Sequence, residues 1–129
     1  MTSQPAVSDP TTTVDAYLSM WYEADEVRRQ RIIAGAWTEA GRYVDPLQEA
    51  KGSEALSAMS AGIQQQFPGH KFRRTSGVDA HHDQVRFGWE LLAPDGSVRA
   101  AGIDVGEIAP DGRLKSITGF FGDLPAVAG

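Results

Sequence analysis

A chain of 129 residues with 41% apolar content and no cysteine has room for one sizeable core, and it lacks disulfides, thiolate nucleophiles and thiolate metal sites. Its formal charge of -5, with lysine and arginine scattered rather than clustered, argues against nucleic acid or an anionic membrane as partner. The expected partner is a small molecule or another protein.

Residues 1–12 read as a flexible arm, rich in Ser, Thr and Pro and without the basic start or apolar run of a signal peptide or span, so cytoplasmic residence is the default expectation. Val14, Tyr17, Leu18 and Trp21 then recur at helical spacing, with Thr12 or Thr13 as N-cap. A second helix is expected from about Asp25 to Ala40, with Val27, Ile32, Ile33, Ala36 and Trp37 inward, Arg28, Arg29 and Arg31 outward as a solvated face, and Gly41 as its stop. Arg42 to Asp45 is a short strand ended by Pro46. Gly52-Ser53-Glu54 opens a third helix that carries Leu56, Met59, Ile63 and Phe67 on one face.

From His70 onward the period changes to that of strands. His70 to Asp79, Gln84 to Ala93, Val98 to Ala109 and Arg113 to Phe121 are separated by His81-His82-Asp83, Pro94-Asp95-Gly96 and Pro110-Asp111-Gly112. Helices followed by a meander predict an α+β domain over 13–122, three N-terminal helices packed on a curved antiparallel sheet, with a tail at 123–129.

Strand parity sorts the faces. One side of Val98 to Ala109 holds Val98, Ala100, Gly102, Asp104, Gly106 and Ile108, small residues around one carboxylate, which suits a ligand pocket. The other side holds Arg99, Ala101, Ile103, Val105 and Glu107, apolar in the middle, as expected of a face covered by a second subunit in a homodimer. Trp21, Trp37, Tyr43, Met59, Ile63, Phe87, Trp89, Ile117 and Phe121 join Gly102 and Gly106 as expected pocket-lining residues.

Asp45 and Asp104 fall in otherwise apolar stretches, where a carboxylate needs a partner or a task. Asp45 reads either as a base at the pocket mouth or as the cap of an Asp-Pro turn. Asp104 has no local turn to serve. It reads as a neutral carboxyl able to donate to a developing oxyanion, or as a structural hydrogen-bond partner. Tyr17 is either a core residue or a second donor. His70, His81 and His82 lack the spacing of a ligand set, so no metal is expected.

The order of helices, short strand ending in Asp45-Pro46, helix and meander with Asp111-Gly112-Arg113 resembles the nuclear transport factor two-like fold, in its SnoaL-like or ketosteroid isomerase-like branch. The resemblance implies a cone-shaped pocket, Asp45 as general base, and Asp104 and Tyr17 as an oxyanion hole in which one carboxyl stays neutral. Trp37 and Ser60 stand where the isomerase has supporting tyrosines. The expectation is therefore an acid/base enzyme, isomerase-like or cyclase-like, that uses no cofactor and acts on a small apolar carbonyl or polycyclic compound. A non-catalytic binding or dimerisation module, and a hydrolase or dehydratase, are the rival readings.

Overall fold

The structure, a computed structural model, describes residues 10–128. The first helix, α1 (Pro10–Met20), starts earlier than expected, with Pro10 in a first turn where its missing N–H costs nothing. Thr13 is inside this helix and not its cap; its hydroxyl donates to the Gly112 carbonyl at 3.2 Å, tying the helix to the last turn of the meander. The part of the expected arm at 1–9 lies outside the described residues. Among the described residues, no helix is long and apolar enough to cross a membrane.

The second helix, α2 (Glu26–Ala36), is capped by Asp25, whose carboxylate accepts from the Arg28 amide at 2.8 Å. It ends four residues short of the expected Ala40, because Trp37 leaves the helix extended and begins β1 (Trp37–Val44). Gly41 is therefore no helix stop. It sits where the Trp37 ring folds back over the strand, and a Cβ there would come within 2.5 Å of that ring. The solvated face is also only partly so. Arg29 is buried, donating from Nε to the Ser57 hydroxyl at 2.8 Å and from Nη1 to the Glu23 carbonyl at 2.8 Å. It fastens the loop between α1 and α2 to α3 (Ser53–Gln66), a use of the guanidinium fork that outward helical spacing conceals. Val27, expected inward, is exposed.

Two short strands escape the sequence pattern. β2 (Glu49–Lys51) pairs back on β1, and the expected strand from His70 divides into β3 (Lys71–Arg74) and β4 (Asp79–His81). β5 (Gln84–Leu92), β6 (Val98–Ile108) and β7 (Leu114–Phe121) form the meander, with Gly96 at φ 86° and Gly112 at φ 89° supplying the turn conformation. The sheet runs β2-β1-β7-β6-β5-β3, with β4 added on β5, and is antiparallel except where β1 runs parallel to β7. Its inner face packs on the helices around Val14, Met20, Ile33, Leu56, Leu114 and Ile117. On the outer face, Ile103 and Phe120 stand side by side and exposed.

Candidate functional site

Three segments bring polar groups to the inner face. Tyr17 reaches down from α1 and its hydroxyl donates to Asp104 Oδ2 at 2.8 Å. Asp104, near the middle of β6 and opposite Phe87 on β5 and Gly119 on β7, is only 2% exposed. Burial raises its carboxyl to about 7, against the pull of the Tyr17 hydroxyl and the Trp89 indole N–H, with the Asp45 charge adding to the rise. Burial and the Asp104 charge likewise push the Tyr17 hydroxyl well above its ordinary range, so it stays a proton donor.

The third segment is the end of β1. Tyr43 donates to Asp45 Oδ2 at 2.6 Å, and the Leu47 and Gln48 amides donate to Oδ1 at 2.8 and 3.1 Å. Gln48 Nε2 approaches Oδ2 at 3.4 Å. Asp45 thus caps the turn after β1, and its side chain also lines the cavity described below. The Tyr43 hydroxyl is also pushed up, by burial, the Asp104 charge and its bond to Asp45.

Gly119 is the meeting point of the set. A Cβ on it would come within 3.0 Å of Asp104 Oδ1, 3.2 Å of the Tyr43 hydroxyl and 3.3 Å of Asp45 Cβ. The missing side chain is what lets β1 and β6 present both carboxyls to one place.

A cavity of about 610 Å³ opens beside this set. Tyr17, Tyr43, Asp45 and Asp104 line it, as do Trp21, Ile63, Trp89 and Phe121 among the expected walls. The other expected wall residues lie elsewhere. Trp37 and Phe87 are buried behind Tyr17, their rings 5.6 and 6.2 Å from its ring. Ile117 is wholly buried in the core, and Met59 packs against that core from α3. Gly102 and Gly106 leave no empty volume, because Trp89 covers the first and Ile117 and Val85 the second. Parity identifies the face of a strand but not what the next strand lays across it.

Sequence reading missed Phe72, Phe67 and Gln66 as lining residues. Phe72 lies between Lys71 and Arg73, an apolar-in, charged-out alternation that signals it. It completes an aromatic wall, with ring centroids 5.5 Å from Trp21 and 5.7 Å from Trp89, and Phe121 follows 5.7 Å beyond Trp89. His81 and His82 face each other in an exposed turn. Among the described residues, no three His, Cys, Asp or Glu are grouped to hold a metal ion.

Three helices on one face of a sheet curved around such a cavity define a nuclear transport factor two-like protein, and solved structures of that class match this chain. An NTF2-like protein of unknown function from Exiguobacterium sp. 255-15 shares 20% identity, over 87% of this chain and 99% of that one, at a TM-score of 0.68. A protein from Jannaschia sp. CCS1, proposed to be a SnoaL-like polyketide cyclase, shares 17% over 94% and 90%, at 0.69. A SnoaL-like family protein from Agrobacterium tumefaciens strain C58, proposed to be an isomerase, shares 37% over 88% and 97%, at 0.82. The chain belongs to the SnoaL-like family. No family model and no curated protein matches it.

Proposed function

We propose that the protein is an acid/base catalyst that moves a proton next to the carbonyl of a small, mostly apolar molecule. What carries this reading is the convergence of two carboxyls, each with its own tyrosine donor, at Gly119 in a cavity otherwise walled by aromatics. Asp104 in its neutral form donates to the carbonyl oxygen, while Tyr17, committed to Oδ2, holds and polarises it. Asp45 takes the proton. Its Oδ2 has a lone pair engaged only by the long Gln48 contact, whereas both amides fill Oδ1. The C–H bond breaks, an Asp45 O–H forms, and the electron pair moves onto the oxygen that Asp104 binds. Return of the proton to another carbon gives isomerisation, and attack of the enolate on a second carbonyl gives aldol-type cyclisation.

The test is a bicyclic β,γ-unsaturated ketone, with the conjugated product followed by absorbance. Asp45→Asn is expected to slow wild-type turnover by roughly 10²–10⁴-fold. Equal rates in both proteins, or none in either, would remove the acid/base reading. The turn bonds of Asp45 favour a second reading, binding without turnover, in which the ketone quenches Trp21 and Trp89 fluorescence and is never converted.

We also infer that a second copy of the chain covers the outer sheet face. Ile103 and Phe120 form its exposed apolar centre, and Arg86, Glu90 and Glu107 supply charges of both signs that a two-fold axis can set against each other. Sedimentation velocity is expected to find a dimer that Phe120→Glu converts to monomer; a monomeric wild type would rule this assembly out.

A further inference from the structure

β5 and β6 lie in register with Phe87 opposite Asp104 and Trp89 opposite Gly102, so Trp89 and Asp104 share the cavity side of the sheet. Gly102 lets the indole rest on the strand itself: a Cβ there would come within 2.6 Å of Cζ2 and 3.0 Å of Cε2. Cε2 is the ring carbon bonded to Nε1. The N–H edge of the indole is therefore the edge laid against β6, two residues from Asp104.

Trp89 is 5% exposed, and its N–H makes no well-formed hydrogen bond, although it lies near enough to Asp104 to ease that carboxyl's ionisation. The described residues hold two other buried nitrogens of this kind, on Trp37 and His70, but only Trp89 of the three lines the cavity. Buried donors are nearly always paired, so an unpaired one beside a functional carboxyl calls for a reason. The acceptor it faces is Asp104.

We propose that the Trp89 indole N–H is a positioning donor for Asp104, held over Gly102 without another partner so that it closes on the carboxylate when Asp104 ionises. The groups around Asp104 leave this task to it. Tyr17 from α1 already occupies Oδ2, Tyr43 from β1 is committed to Asp45, Asp45 opposes ionisation by its charge, and Phe87 from β5 and Gly119 from β7 offer no side-chain donor. A neutral Asp104 leaves the indole waiting, and an ionised one draws it in. In the proposed cycle, which supplies the catalytic meaning but not the test, Asp104 takes on carboxylate character as its proton shifts toward the ligand oxygen on which charge gathers. The closing indole makes that step easier.

The experiment is an NMR titration of the full chain, which needs no substrate and so stands or falls apart from the proposed activity. The Asp104 carboxyl carbon is expected to titrate with a midpoint near 7. The Trp89 indole N–H resonance, assigned by its loss in Trp89→Phe, is expected to move downfield with the same midpoint. In Trp89→Phe the Asp104 midpoint is expected to rise by about one pH unit. An indole resonance that stays flat through the Asp104 titration overturns the proposal, as does an unchanged or lowered midpoint in the variant. Should Trp89→Phe fail to fold, Trp89→His, assigned the same way, serves in its place, and the wild-type titration alone still decides.

Discussion

Asp104→Asn stabilises the protein above neutral pH and changes little near pH 4. In the unfolded chain this carboxyl titrates near 3.8, and in the folded protein near 7, because burial disfavours its charge. The folded state therefore holds a proton that the unfolded state has released, so stability falls as pH rises between those two values. The contribution is fully present below about pH 4 and is lost by the time pH passes about 7, and the interval corresponds to about 4 kcal/mol. Asparagine is neutral throughout and can still accept from Tyr17 through its carbonyl oxygen. Urea unfolding of both proteins at about pH 4 and about pH 8 checks this, with the two expected to coincide at the lower value and Asn to lead by a few kcal/mol at the higher. A difference independent of pH would mean that Asp104 is no more costly to ionise than an exposed carboxylate. The same substitution removes the proposed acid, so the residue that limits stability is the one the function would need.

Gly102→Ala is expected to be among the most damaging single methyl groups this fold can receive. Its Cβ would stand 2.0 Å from the Phe120 carbonyl oxygen and 2.6 Å from the Trp89 ring. The first of these neighbours is backbone in the adjacent strand, so no rotamer change relieves it and the β6–β7 ladder must open. A loss of roughly 3 kcal/mol or more is expected, at the severe end of overpacking effects, with loss of the near-ultraviolet dichroism of a fixed tryptophan. Gly119→Ala makes the contrast, because its Cβ would meet side-chain atoms of Asp104, Tyr43 and Asp45 at 3.0 to 3.3 Å, and side chains can give way by a few tenths of an ångström. Thermal unfolding of the two variants separates them. Equal cost at both positions would show that the backbone contact at Gly102 is not decisive.

Much of the fold was legible because its signals are local. The two Pro-Asp-Gly turns need a residue that accepts positive φ, and alternation after His70 has no helical explanation. The start of β1 was not legible, because the apolar series Ile32, Ile33, Ala36 and Trp37 continues the helical period, and only pairing with β7 and the Trp37–Gly41 fold-back pulls Trp37 into the sheet. Arg29 was read as solvated because an arginine at that spacing normally is, and its partners Ser57 and Glu23 belong to separate segments. In the site, Asp104 stood out as a carboxylate in a strand of small residues. The small residues themselves misled, since the glycines around it make room for Trp89 and Ile117 rather than for a ligand. The Tyr43–Asp45 bond spans only two positions, yet depends on how β1 ends against Gln48, which no periodicity encodes.

The parallel pairing of β1 with β7 bears on how the chain closes. β5, β6 and β7 are joined by short turns and can find each other at small entropic cost, whereas β1 meets β7 across a separation of more than half the chain. Tyr43, and Asp45 just beyond it, depend on that long-range ladder, while Asp104 sits in the short-range one. Bringing the two carboxyls together therefore requires that long loop to close, since the meander by itself carries only one of them.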